Sequence, residues 1–200
     1  MIICRIFSYL FHPLFMPFTG TMAFYMLSPQ HIPYESRKNV ILPILILTVL
    51  IPIVLYLLLK HLGWVQSHEL RSAKERKIPL YAAITITYVI ILHIAPPAFS
   101  PTLHYFFVGI MSTLFLCLLL VILNVKASIH MMGITGVAAF IFGFSLHFQV
   151  NTAPILAALV IISGVIAVSR LYLRAHTPRE IATGALIGTI PQLVIFCFLL

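Results

Sequence analysis

A chain of 200 residues that is 62% hydrophobic and 8% charged, with mean hydropathy +1.11, lacks the charge to cover a soluble domain. Its net charge is +8, from 12 Lys+Arg against 4 Asp+Glu. The acids are Glu35, Glu69, Glu75 and Glu180; with no aspartate, paired-Asp Mg²⁺ sites and aspartyl-phosphate intermediates are excluded.

A membrane crossing takes about 20 apolar residues. The composition therefore predicts an all-α polytopic transmembrane helix bundle of about seven spans, filling a single domain over residues 1–200. The first span is expected over 6–27, interrupted by Pro13, Pro17 and Gly20; no small-residue cleavage site follows, so it reads as retained rather than as a cleaved signal. The others are expected over 40–59, 79–95, 103–123, 129–147, 154–173 and 181–200. Turn chemistry separates them: Ser28-Pro29, Pro96-Pro97, Ser100-Pro101, and Asn151-Thr152 with Pro154. Segment 61–78 reads as an interfacial helix with Trp64 at headgroup level, or as a solvated loop. Cys4, Cys117 and Cys197 form neither a disulfide framework nor a metal pattern and are expected to pack.

Alternation of seven spans puts the N-terminus and loops 60–78, 124–128 and 170–180 on one face. Ten of the twelve basic residues fall there; only Arg37 and Lys38 fall opposite. The positive-inside bias makes that face cytoplasmic. A substrate phosphate would draw cations to the same place, so the two causes stay open as alternatives. Nucleic acid is not an expected partner, because almost no polar surface exists to bind it. The chain is expected as a multi-pass protein of a bacterial inner membrane.

The third cationic loop is SRLYLRAHTPRE, residues 169–180. Arg170 and Arg174, four apart, are expected on one helical face. His176 and Glu180 have the same spacing, and a carboxylate one turn from an imidazole fixes its tautomer and strengthens the other nitrogen as a nucleophile. The competing reading is structural: Thr177-Pro178-Arg179-Glu180 is also a capping box with proline at the first helical position. In KASIH, residues 126–130, Ser128 and the backbone N–H groups of a helix start can bind an anion, and His130 can protonate a leaving oxygen. The bland alternative is a serine N-cap beside a solvated histidine. The first loop carries Arg71, Lys74, Arg76 and Lys77, which can equally meet lipid headgroups. The other histidines, His12, His31, His61, His68, His93, His104 and His147, have no carboxylate or cysteine at ligand spacing and are expected to be structural or interfacial.

Brought together on one face, two histidines, a serine, several cations and a glutamate suit phosphoryl transfer to histidine followed by hydrolysis. These residues resemble the type-2 phosphatidic acid phosphatase superfamily, the integral-membrane lipid phosphate phosphatases. That family's three blocks run Lys-x6-Arg-Pro, Pro-Ser-Gly-His and Ser-Arg-x5-His-x3-Asp. Ser169-Arg170, His176 and Glu180 reproduce the third, with Glu for Asp; Ala127-Ser128-Ile129-His130 matches the second at Ser and His; and ATGALIG, with Gly184 and Gly188, looks like the helix after the third. The resemblance covers about residues 70 to 190, within a phosphatase-like core over 39–200.

The resemblance implies His176 as the nucleophile, Glu180 as its orienting partner and His130 as the general acid. Arg170, Ser128 and a first-block cation would bind phosphate, with no metal and no cofactor. The first block departs from the pattern: counting back from Pro79 puts Arg71 at the Lys position but Ile78 at the Arg position, so Arg76 is the favoured substitute. Ile129 replaces the glycine of the second block. The implied activity is hydrolysis of a lipid phosphate or isoprenoid pyrophosphate. The alternative is an inactive relative that binds anionic lipid or transports a small solute. Nearly unbroken Leu/Ile/Val in the second to fourth spans, the proline-bearing first span being the exception, speaks against transport, which favours broken helices with mid-membrane polar groups.

Overall fold

The computed structural model describes the backbone of residues 2–29, 32–64 and 73–199, and the side chains of 4–29, 32–64 and 77–197. Among the described residues there is no strand, and the chain is an all-α polytopic bundle. Its helices are α1 (Ile2–Leu10), α2 (Met16–Leu27), α3 (Tyr34–Leu45), α4 (Ile51–His61), α5 (Ala73–Val89), α6 (Pro101–Ile122), α7 (Ile129–Phe148), α8 (Ala153–Tyr172) and α9 (Pro178–Leu199). Six stretches are long and apolar enough to cross a membrane: Tyr34–His61, Lys77–Ile94, Pro101–Ile122, Ile129–Phe148, Ala153–Tyr172 and Pro178–Cys197.

The first expected span is not one helix. His12-Pro13 stops α1, a 3₁₀ turn over Pro13–Phe15 follows, and Pro17 sits in the first turn of α2, where its missing N–H costs nothing. Neither α1 nor α2 has the length of a span. α2 nevertheless runs beside α7 in the same direction, with Met16 against Gly133 and the Phe24 ring 6.2 Å from that of Phe144. α1 packs against α8. Prolines also shape the next rod: a π turn over Ile46–Leu50 joins α3 to α4 between Pro43 and Pro52, where a continuous α-helix would clash with the ring of the second proline. The interfacial helix expected over 61–78 lies largely outside the described residues. Trp64, at its near end, is exposed.

α7 is the central helix. Half of its span is buried in protein, against 11–33% for the other five, so its polar groups must find partners inside the bundle. α9 lies parallel to it and very close. A Cβ at Gly184 would stand 2.5 Å from the Ser128 carbonyl oxygen, and one at Gly188 would run into the carbonyl of Met132. This small-xxx-small pair lets two backbones touch where no hydrophobic effect drives them together. The Thr135 hydroxyl donates across the seam to the Ala185 carbonyl at 3.1 Å. α6 runs antiparallel to α9, held by Thr113 Oγ1 to the Ile187 carbonyl at 3.2 Å and Gln192 Nε2 to the Phe106 carbonyl at 3.0 Å.

Three helices end toward the same face with one kind of turn. After α4, α6 and α8, the N–H of Trp64, Val125 and Ala175 reaches back to the carbonyl of Leu59, Leu120 and Arg170, at 2.9, 2.8 and 3.1 Å. The residue before each donor is left-handed: Gly63, Asn124 and Arg174, at φ 73°, 57° and 51°. This is the Schellman ending, for which glycine and asparagine are the usual occupants and arginine is not. Of the cysteines, Cys117 is buried and Cys4 half-buried, while Cys197, expected to pack, is exposed.

Candidate active site

Four elements meet at the face where α4, α6 and α8 end: the start of α7, the α8–α9 turn, the start of α5 and the α1–α2 break. Leu80 of α5 packs with Val121, Ala127 and Met132, which brings the first cationic segment to this face. Of the two cations nominated there, Arg71 lies outside the described residues, and Arg76 is seen only as backbone in the first turn of α5.

The α8–α9 turn carries the most complete constellation. His176 Nδ1 donates to Glu180 Oε2 at 2.7 Å, since a carboxylate only accepts. The same oxygen accepts the Thr177 N–H at 3.3 Å, while the Thr177 hydroxyl accepts the Glu180 N–H at 3.3 Å. The capping box and the His–carboxylate pair therefore coexist. The His176 side chain is 7% exposed and that of Glu180 21%, so the pair is shielded yet reachable.

Arg170 and Arg174 do not share a face. The helix ends at Tyr172, Arg174 turns left-handed into the open, and Arg170 stays buried at 7% exposure. The Arg170 charge acts on His12.

Ser128 is fully buried. Its N–H donates to the Glu180 carbonyl at 3.0 Å, tying the start of α7 to the start of α9. It occupies the N-cap position of α7 without capping it, and among the described residues its hydroxyl has no hydrogen-bond partner. A buried orphan hydroxyl costs about 1–3 kcal/mol. One at a helix start, where backbone N–H groups point outward, is offset naturally by an anion. Gly184 is what permits this junction. Ile129, in place of the second block's glycine, is half-buried, and Lys126 is exposed.

His130 is not solvated. Its Nε2–H donates to the Ser8 carbonyl at 3.1 Å, and its ring stands edge-to-face with His12, centroids 5.2 Å apart at 81°. On sequence alone His12 groups with the structural histidines; the fold sets it in the site. Its Nδ1 accepts the Leu14 N–H at 3.3 Å, so its neutral ring carries the proton on Nε2. His12 lies outside the six spans; burial and then the Arg170 charge push its pKa down to about 4, so it is uncharged at neutral pH. The one sequence signal for it was the His12-Pro13 break, which marks a turn and says nothing of what the turn meets. His104, by contrast, is structural: its Nδ1 bonds the Ala95 carbonyl at 2.9 Å and closes the loop before α6. His31 and His68 lie outside the described residues. Among the described residues, no three His, Cys, Asp or Glu gather as a metal site.

No protein-family model, no curated protein and no solved structure matches the chain.

Proposed function

We propose that this chain is a membrane-embedded lipid phosphate phosphatase, or isoprenoid pyrophosphate phosphatase, of a bacterial inner membrane, working through a phosphohistidine without a metal. The observation that carries the reading is the shielded His176–Glu180 pair joined, through the Ser128 N–H on the Glu180 carbonyl, to a buried serine with a free hydroxyl. A capping box accounts for Glu180 and Thr177, but not for a buried serine hydroxyl without a partner, among the described residues, at the same junction.

In the proposed reaction the phosphate sits between Ser128, Arg170 and a cation of the first segment, Arg76 favoured and Arg71 second. His176 Nε2 attacks phosphorus, the bond from phosphorus to the leaving alcohol oxygen breaks, and His130 gives that oxygen a proton. Glu180 holds the Nδ1 proton throughout and stabilises the positive ring. Water then attacks the phosphohistidine, His130 takes a proton from it, the P–N bond breaks, and phosphate leaves. The site stands at the ends of the spans, where a headgroup arrives while its tails remain in lipid.

The test is phosphate release by the purified chain in detergent against a panel of lipid phosphates and isoprenoid pyrophosphates, with EDTA present, and acid–base lability of a ³²P-labelled intermediate. Release should persist in EDTA, with a label that survives base and is lost in acid. Activity that vanishes in EDTA and returns with Mg²⁺ refutes the mechanism. Tight binding of these lipids with no release turns the reading to an anionic-lipid binder.

A further inference from the structure

The N-terminal segment makes two contacts that the proposed reaction has not used, and both fall on His130. Ser8 is in the last turn of α1, where helix carbonyls have no partner within the helix. Its carbonyl is taken by His130 Nε2–H at 3.1 Å, across 122 residues of sequence. One helical turn further on, the ring of His12 stands edge-to-face against that of His130. His12 is itself fixed, by the Leu14 N–H on its Nδ1 and by Pro13 directly after it.

We propose that this segment is the fourth part of the site: the Ser8 carbonyl and His12 position His130 so that Nδ1, and not Nε2, exchanges the proton with substrate. The role of His130 rests on the phosphatase reading; the geometry that holds it does not. With Nε2–H on a carbonyl, the transferable proton of the charged ring is on Nδ1. It passes to the leaving oxygen as the phosphorus–oxygen bond breaks. The Nδ1 lone pair then takes the proton of the water that cleaves the P–N bond. Turning the ring over about Cβ–Cγ would put Cε1 where Nε2 stands and forfeit the Ser8 bond, and the His12 ring stands edge-to-face with the ring that must turn. His12 is thus a positioning residue, acting through His130.

Two substitutions separate this role from plain turn-capping. His12→Asn keeps an acceptor for the Leu14 N–H, asparagine being among the best N-caps, but removes the ring. His12→Phe keeps a flat ring and removes the acceptor. The readouts are the ¹⁵N-histidine NMR signature of the His130 tautomer, assigned with His130→Gln, and the ratio of turnover on an alkyl phosphate to that on an aryl phosphate. In wild type, the neutral ring of His130 should be a single Nε2–H tautomer, the charged ring carrying its second proton on Nδ1. In His12→Asn that form should become averaged, and alkyl turnover should fall about 10- to 100-fold, the usual range for a displaced catalytic group, while the aryl phosphate, which needs little acid assistance, changes by less than about threefold. His12→Phe should keep the tautomer and most of the alkyl rate. An Asn variant identical to wild type in both readouts, or a Phe variant as impaired as Asn, reduces His12 to a cap and overturns the proposal. If wild type hydrolyses no lipid phosphate at all, the phosphatase reading fails, and the tautomer still decides the positioning.

Discussion

The starts of α7 and α9 face each other across a single hydrogen bond, from the Ser128 N–H to the Glu180 carbonyl, yet they are built in opposite ways. At α9 the side-chain hydrogen bonds close within four residues, among His176, Thr177 and Glu180. At α7 neither histidine nor serine is served locally: Ser128 leans on residue 180 and His130 on residue 8. A constellation closed by i,i+3 and i,i+4 spacing is written in the sequence, because helical geometry alone brings its members together. One closed through space depends on which helices pack, and no spacing reveals it. The two imidazoles also differ in what orients them. His176 is held by a charge, suiting a nucleophile that must become positive, while His130 is held by a neutral carbonyl that fixes one proton and leaves the other free to move.

The largest expected effect lies on the local side of this comparison. His176→Ala removes the attacking atom, and turnover on the best substrate should fall on the order of 10⁴–10⁶-fold, as when a nucleophile is deleted elsewhere. The fold should be unchanged, because the Glu180 carboxylate still accepts the Thr177 N–H and the Thr177 hydroxyl still accepts the Glu180 N–H. Turnover and thermal unfolding in detergent measure both halves. Activity at the wild-type level would end the phosphohistidine reading.

Glu180 comes next. Since one oxygen accepts from both His176 and Thr177, a Gln carbonyl can take over both bonds, and Glu180→Gln should unfold within about 0.5 kcal/mol of wild type. It cannot supply the charge. Its kcat should drop between about tenfold and about 10⁴-fold, the upper figure being that of the Asp-to-Asn change in a serine-protease triad. Glu180→Asp keeps the charge and should keep measurable activity. A Gln variant as fast as wild type would leave the carboxylate as a cap alone.

The all-α bundle and the His176–Glu180 pair are legible from hydropathy and spacing. Where the fold departs from a local reading, the reasons are physical. The first apolar run, 6–27, is long enough for a span by composition, but His12-Pro13 breaks it, and a hydropathy window averages over a broken helix. His12 reads as structural on sequence, and it does cap the turn over Pro13–Phe15; that it also meets His130, 118 positions away, no spacing reveals. Arg170 and Arg174 were expected together because i,i+4 spacing assumes that the helix continues, and it ends between them. Ser128 has the sequence of an N-cap, and the fold takes its hydroxyl out of that role.

The junction between the two helix starts can itself be broken. Gly184→Ala places a methyl 2.5 Å from the Ser128 carbonyl and 3.0 Å from its nitrogen, both backbone atoms that cannot swing aside. The helices must part, at a cost of about 1–3 kcal/mol, the range for overpacking, and the Ser128–Glu180 bond should lengthen. Gly164→Ala, in α8, is the control: nothing lies within 4 Å of the added carbon, and alanine gains up to about 1 kcal/mol in helix propensity. Thermal unfolding in detergent should therefore move in opposite directions for the two glycines. Equal shifts would mean that the close seam between α7 and α9 contributes nothing specific.

The smallest effect is also the one that tests the ends of the helices against one another. Gly63, Asn124 and Arg174 occupy the same left-handed position after α4, α6 and α8, and only arginine is out of place there. A side chain with a Cβ costs roughly 1–2 kcal/mol in that conformation, asparagine less. Arg174→Gly should thus stabilise the chain by up to about 1 kcal/mol, and Asn124→Gly by a few tenths, with the backbone bonds of both turns retained. Arg174 is exposed and separated from Arg170 by the helix end, so its charge is not part of the buried set around His130. If it serves only to meet lipid headgroups, the Gly variant gains stability at unchanged kcat and an unchanged KM for a water-soluble aryl phosphate, while its KM for lipid substrates in anionic vesicles rises, because each surface cation near an anionic membrane contributes about 1 kcal/mol of attraction. A fall in kcat on the soluble substrate would instead place Arg174 at the phosphate during turnover, and would explain why the chain keeps an arginine where its other two helix ends use the residues that the turn prefers.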